Sequence, residues 1–367
     1  MSERIVVKIG SSSLTSDEGG LNRARVDFFA AELAALHRTG RQVLLVTSGA
    51  VAAGFRMIGY PARPKQLHEK QAAAAVGQAL LMRAYQEAFG ESDIVAAQIL
   101  LTRHDFSNRQ RIHNALMALE ELLRRGVIPI INENDTVTVE GLKFGDNDNL
   151  SALVANLVRA KKLIILTDTD GLYTDDPRRN PEAERIERVT EINERIMAIA
   201  GGAGSSVGTG GMRSKIEAAR VAMRGGVQAF VGKASKPGDV LAAVEGRGRG
   251  TYFDTDSHNL SMKKQWIGFH STPSGRITVD DGAARALVSE GRSLLPAGIT
   301  GAEGEFHPGD VVEVAGPDGV PIGRGVVNYA AWQVQAAAGL GTDEVRKRVD
   351  VVRIEVIHRD EWVSFPR

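Results

Sequence analysis

Short apolar runs alternate with amphipathic helical stretches along the first 250 residues of this chain, and that alternation leaves few folds open. Arg4 to Ile9, Gln42 to Thr47, Ile94 to Leu101, Val127 to Ile131, Lys162 to Thr167 and Val227 to Val231 each read as a buried strand. Between the first two, Asn22 caps a helix with Val26, Phe29, Leu33 and Leu36 on one face, and Gly40 ends it. Further helices are expected over Gln71 to Phe89, Gln110 to Arg125, from Leu150 onward and near Asn193 to Ala200. Strand–helix–strand order predicts right-handed βαβ units and an α/β fold with a mainly parallel sheet.

The strand ends carry the chemistry. Ile5-Val-Val is interrupted by Lys8, which must snorkel or meet an anion, and Gly10-Ser-Ser-Ser13 turns directly after it. Ser48 and Gly49 follow the second strand. Asn132-Glu-Asn-Asp135 follows the fourth, and Thr167-Asp168 the fifth. In open α/β sheets ligands bind at the carboxyl ends of the strands, so these tips predict one active site along one sheet edge.

Gly208-Thr-Gly-Gly-Met-Arg-Ser-Lys215 supplies a second wall. Three glycines in four residues run into a helix, which presents free N–H groups and the positive end of the helix dipole to an anion. Lys215 adds a cation where helix stability alone disfavours one. The spacing matches neither the P-loop nor the dinucleotide fingerprint, and a surface loop before an ordinary helix also fits. Phe144-Gly-Asp-Asn-Asp-Asn149 is a further polar run, of which one residue is accounted for as a helix cap. Two lysines, a glycine loop and several Asp and Asn side chains suit phosphoryl transfer, which is catalysed by positioning and charge neutralisation. Asp146 and Asp148 form an alternative metal pair, although magnesium would ride mostly on phosphates and water.

Composition excludes several other classes. Lys and Arg balance Asp and Glu at 45 each, so no overall basic excess points to nucleic acid or membrane surface. Cysteine is absent, which removes disulfides and thiol chemistry and suits the cytoplasm. The first residues are too short an apolar run for a signal peptide, and no stretch approaches a membrane span. The eight histidines show no metal-ligand spacing. After about Gly250 the pattern shifts. Thr251 to Ser274 reads as a strand-bearing connector. Arg276 to Asp280, Gly309 to Val314, Gly323 to Val327 and Val349 to Val356 then read as short strands of a small β-rich domain. The domain boundaries expected are 1–258, a connector at 259–274, and 275–367.

Taken together, Val7-Lys-Ile-Gly-Ser-Ser, Val46-Thr-Ser-Gly-Ala, Ile131-Asn-Glu-Asn-Asp, Gly145-Asp-Asn-Asp-Asn-Leu-Ser-Ala, Leu166-Thr-Asp, Gly171-Leu-Tyr-Thr, Gly208-Thr-Gly-Gly-Met and Ser293-Leu-Leu-Pro-Ala-Gly-Ile resemble the bacterial glutamate 5-kinase family nearly end to end. The resemblance implies a three-layer α/β/α amino-acid-kinase domain followed by a PUA domain. It implies ATP-dependent phosphorylation of the glutamate side-chain carboxylate as the first step of proline biosynthesis, with Mg²⁺ bridging the phosphates. By the same resemblance Lys8 and Lys215 flank the transferring phosphoryl group and Asp148 holds both lysines. Ser48, Asp135 and Asn147 would bind glutamate. Lys8, Gly10, Thr167, Asp168, Thr209, Gly210, Gly211, Met212, Arg213, Ser214 and Lys215 would face ATP. Arg213 departs from the small polar residues common in that loop. Proline feedback inhibition, a homo-oligomer and a transient complex with glutamyl-phosphate reductase are also implied. Aspartate, acetylglutamate, carbamate and uridylate kinases are rivals within the fold. An RNA-binding protein with a non-catalytic kinase-like domain is a rival outside it, but the tail from residue 275 has ten basic and fourteen acidic residues, the wrong sign for RNA.

Overall fold

The computed structural model describes residues 2–16, 19–137, 147–177, 180–201, 211–255, 264 and 266–365. The chain divides into two compact units, residues 1–105 with 110–259, and residues 106–109 with 260–367.

The first unit is built on an eight-stranded sheet: β1 (Arg4–Ile9), β2 (Gln42–Thr47), β3 (Ala96–Leu101), β4 (Ile128–Glu133), β5 (Lys162–Leu166), β6 (Arg188–Val189), β7 (Gln228–Gly232) and β8 (Gly250–Phe253). Their spatial order is β3-β4-β2-β1-β5-β7-β8-β6. The first six in that order run parallel, β8 is antiparallel to β7, and β6 is parallel to β8. The connecting helices are α1 (Arg23–Arg38), α2 (Ala50–Gly54), α3 (Leu67–Gly90), α4 (Arg103–Ser107), α5 (Arg109–Arg124), α6 (Asn147–Leu157), α7 (Glu194–Gly201), α8 (Met212–Arg224) and α9 (Asp239–Val244).

Side-chain alternation along a strand decides what each face meets. Ile5, Val7 and Ile9 of β1 pack with Leu33 and Leu36 of α1, Tyr85 and Phe89 of α3, and Val240 and Val244 of α9. Burying a side chain of this size is worth about 1.5–3 kcal/mol. Val6 and Lys8 therefore face the opposite way, the side on which α6 and α8 lie against each other. Crossing of α2 and α3 is closer than side chains permit. A Cβ on Gly54 would stand 2.5 Å from the Gly77 amide nitrogen, and one on Gly77 would stand 2.6 Å from that of Gly54.

The second unit is a five-stranded sheet of β9 (Gly275–Val279), β10 (Ile299–Gly304), β11 (Val311–Ala315), β12 (Pro321–Val327) and β13 (Ile357–Ser364), in the order β10-β9-β11-β12-β13. Only β9 and β11 pair in parallel; the other neighbours are antiparallel.

Three local expectations change. The helix expected from Leu150 begins at Asn147, so Asp148 lies in its first turn and not ahead of it. A carboxylate is favourable there because the helix dipole is positive at that end. Val349 to Val356 is not a strand: the partner edge of β12 is taken by β13, and Val349 and Val356 are buried from an irregular segment. Thr251 to Phe253, placed in the connector by the sequence, belongs to β8 of the first sheet.

Candidate active site

Lys8 reaches from β1 to the first turn of α6, where its ammonium contacts Asp148 Oδ1. Lys215, in the first turn of α8, reaches Asp148 Oδ2 at 3.2 Å. The Ser214 hydroxyl donates to the same oxygen at 2.8 Å. Lys8 is 4% exposed, Asp148 0% and Lys215 8%, so one carboxylate compensates two ammonium groups away from water. Buried charges are tolerable only when paired in this way. Two ammonium groups thus meet at one carboxylate at the end of the sheet. The Lys8 ammonium bends back over Gly10, where an added Cβ would sit 3.4 Å from Nζ.

Beside this cluster lies a set of side-chain amides. Asn147 Nδ2 shares its two hydrogens among three acceptors, the Thr47 carbonyl at 2.9 Å, Ser48 Oγ at 2.8 Å and Asn132 Oδ1 at 3.0 Å. Asn147 therefore stitches the carboxyl ends of β2 and β4 together. Ser48 precedes the left-handed Gly49, φ 108°, which turns the chain into α2. Asp135 follows β4 and forms part of a cavity of about 310 Å³ whose walls include Ala50, Ala74, Gln78, Gln98 and Glu133. Burial pushes the Asp135 carboxyl up to about 6, against the opposing pull of Arg63.

Thr167 and Asp168 follow β5, which pairs with β1 so that Ile9 faces Leu166; the pair thus lies one strand across from Gly10. The Thr167 amide donates to the Gly232 carbonyl at 2.9 Å and its hydroxyl to Asp168 at 2.9 Å.

Most residues singled out in the sequence converge on this edge. Lys8, Asp148, Ser214 and Lys215 form one cluster, and Ser48 and Asn147 another. Gly10 adjoins Lys8, while Asp135 lines the neighbouring cavity. Gly211 and Met212 begin α8. Arg213, 67% exposed, turns outward to Glu217 at 3.2 Å and does not join the cluster. Thr209 and Gly210 lie outside the described residues, as does Asp146. Three participants had no role assigned from the sequence: Asn132, Gln78 and Gln98. Asn132 Nδ2 donates to Gln78 Oε1 at 2.8 Å, and Gln78 Nε2 donates to Gln98 Oε1 at 2.9 Å. Asn132 was visible only as part of a polar strand tip, and Gln78 only as one polar residue in an alanine-rich helix.

Among the described residues no group of three or more His, Cys, Asp or Glu side chains converges on one point. No helix among them is long and apolar enough to cross a membrane.

The amino acid kinase family model matches residues 3–233, and the PUA domain model matches residues 275–349. Glutamate 5-kinase 1 of Bacillus licheniformis is 49% identical over 364 residues, covering 99% of both chains. The glutamate 5-kinase of Geobacillus kaustophilus is 50% identical over 367 residues, 99% of this chain and 97% of that one. Glutamate 5-kinase 1 of Bacillus subtilis is 49% identical over 363 residues, 99% and 98% of the two chains. Among solved structures, UMP kinase from Bacillus anthracis covers 70% of this chain and 97% of its own at 16% identity and a TM-score of 0.48. With a family model over most of the first unit and relatives half identical along the whole length, this chain belongs to the amino acid kinase family and, within it, to the glutamate 5-kinases.

Proposed function

We infer that the protein transfers the γ-phosphoryl group of ATP to the side-chain carboxylate of L-glutamate, giving L-glutamyl 5-phosphate and ADP. The observation that carries this reading is the pair of buried lysines on one buried aspartate at the sheet edge, in a chain half identical to glutamate 5-kinases throughout. A carboxylate oxygen of glutamate forms the new bond to phosphorus as the bond to the β-phosphate oxygen breaks, and ADP leaves with that electron pair. The nucleophile is already ionised, so no general base is required. Lys8 and Lys215 donate hydrogen bonds to the phosphoryl oxygens as charge spreads over them, and Asp148 keeps both ammonium groups in place.

Ser48, Asp135 and Asn147 are assigned to glutamate. Gly10, Thr167, Asp168 and the loop Thr209, Gly210, Gly211, Met212 and Ser214 are assigned to ATP, Arg213 only by its place in that loop, since its side chain turns to Glu217. The Ser214 hydroxyl contacts Asp148, which supports an action through that carboxylate. The protein's own donors do not suit a resident metal, because the buried carboxylate Asp148 is engaged by two ammonium groups and a hydroxyl. Magnesium on this reading arrives on the nucleotide as part of the substrate. Proline inhibition near the glutamate site, a homo-oligomer, a transient complex with glutamyl-phosphate reductase and a cytoplasmic location belong to the same proposal.

The test uses the lability of an acyl phosphate. Protein, MgATP and hydroxylamine are incubated with L-glutamate, L-aspartate, N-acetyl-L-glutamate, carbamate or UMP. ADP release and trapped hydroxamate are then measured. Glutamyl hydroxamate formed with L-glutamate is the expected product. Turnover with another acceptor and none with glutamate overturns the assignment.

A further inference from the structure

The hydrogen bonds beside the lysine cluster all point one way. Gln78 Nε2 donates to Gln98, so Gln78 Oε1 is left to accept, and it accepts from Asn132 Nδ2. Asn132 Oδ1 is thereby presented to two donors, the Glu133 amide at 2.9 Å and Asn147 Nδ2 at 3.0 Å. Asn147 Nδ2 is also held by the Thr47 carbonyl and Ser48 Oγ. The Glu133 amide and the Thr47 carbonyl select the same ends from the backbone side, and Gln78 reinforces that orientation through Asn132. At the inner end of the chain, the buried Asn147 Oδ1 has no hydrogen-bond partner among the described residues. A buried acceptor without a donor is costly, and a ligand that supplies one gains that difference.

We propose that Gln78 is a positioning residue for the substrate: acting through Asn132, it buttresses the Asn147 amide, whose carbonyl oxygen is directed to the substrate ammonium. This rests on the glutamate reading above. Both carboxylates of glutamate only accept hydrogen bonds, and its α-ammonium is the one group that donates. Rotating the Asn147 amide by half a turn would present NH₂ to that ammonium and lose the match. Gln78 stands on α3 immediately after Gly77, whose backbone contact with Gly54 sets how far α3 lies from α2. The close helix crossing thus places the first amide of the chain, and the chain buttresses the last.

The test compares glutamate with glutarate, which has both carboxylates and no ammonium. Gln78→Met removes the acceptor for Asn132 while keeping side-chain length. Gln98→Met, at an exposed position, removes the acceptor that orients Gln78. KM for glutamate, KM for ATP, kcat and the inhibition constant of glutarate are measured for both variants and the parent, with thermal melting as the folding control. In Gln78→Met, KM for glutamate is expected to rise about 5- to 30-fold, the scale of one misdirected buried hydrogen bond. The glutarate constant and KM for ATP stay within about two-fold of the parent's. Gln98→Met shifts the same ratio in the same direction by a smaller factor. A glutamate KM that does not move, or a glutarate constant that rises in step with it, overturns the proposal. Should Gln78→Met fail to fold, an unchanged glutamate-to-glutarate ratio in Gln98→Met overturns it alone. Failure of the glutamate reading itself is distinct, since the parent protein would then form no glutamyl hydroxamate.

Discussion

Replacing Asp148 by asparagine tests the centre of the site, because it changes charge and almost nothing else. The carboxylate is 0% exposed and faces ammonium groups that are 4% and 8% exposed, so water cannot take over its role. An amide offers one acceptor in place of two and turns an NH₂ toward whichever partner it cannot accept from. Removing one partner of a buried ion pair costs about 3–5 kcal/mol. At about 2–4 °C per kcal/mol for a domain of this size, the melting temperature of the first unit should fall by about 6–20 °C. Phosphates can replace the lost negative charge, so MgATP should stabilise Asp148→Asn by more than it stabilises the parent. Catalysis should suffer at the same time. Loss of a single well-placed donor to a developing oxyanion costs about 100- to 1,000-fold in kcat, and here two donors lose their seat. KM for glutamate should move far less. Differential scanning fluorimetry with and without MgATP, together with the hydroxamate assay, reads all three quantities. A variant that melts within about 2 °C of the parent and keeps kcat within about ten-fold refutes the reasoning.

Three further outcomes follow from the structure. The Asp135 carboxyl, pushed up to about 6 by burial from an ordinary 3.8, is protonated in the folded protein at pH values where the unfolded chain has already ionised. Its contribution to folding stability is therefore full below about 4 and lost as pH rises through about 6. Its contribution to binding a cationic ammonium runs the other way. KM for glutamate should rise as pH falls through about 6 in a pH series, and Asp135→Asn should flatten that limb; an unaltered limb removes Asp135 from the glutamate site. Gly77→Ala drives a methyl group into the α2 backbone and should cost about 3 kcal/mol or more in urea denaturation, the upper range for overpacking; a loss below about 1 kcal/mol would show that α2 yields easily. Arg213→Ser breaks a solvent-exposed ion pair and should change KM for ATP by no more than about five-fold, the scale of one surface pair; a larger change in a nucleotide titration would put Arg213 in contact with the phosphates.

The order of strands and helices in the first unit was legible because its signals are local. Continuous apolar runs mark the strands, Asn22 caps α1 through its side chain, and glycines end several helices. The residue types of the site were legible for the same reason, since they cluster at strand ends. Their partnerships were not. Lys215 and Asp148 are 67 positions apart, and nothing local at either end names the other. Gln78 was hidden because α3 is alanine-rich, and small residues on every side blur the period that would separate a buried face from a cleft. Val349 to Val356 misled because alternating valines describe a half-buried segment, while a strand also needs an unoccupied neighbour. The place beside β12 is held by β13, which only the pairing reveals.

The shared seat on Asp148 has a mechanical consequence. Lys8 is carried by the sheet and Lys215 by a helix packed over it, so the two ammonium groups come from different layers. Were each ammonium anchored within its own layer, their separation would depend on how the two layers sit. Both are held instead by the two oxygens of one side chain, so their spacing is referred to a single carboxylate. Asp148 thus serves as a common reference point for the two cations, one from the sheet and one from the helix layer.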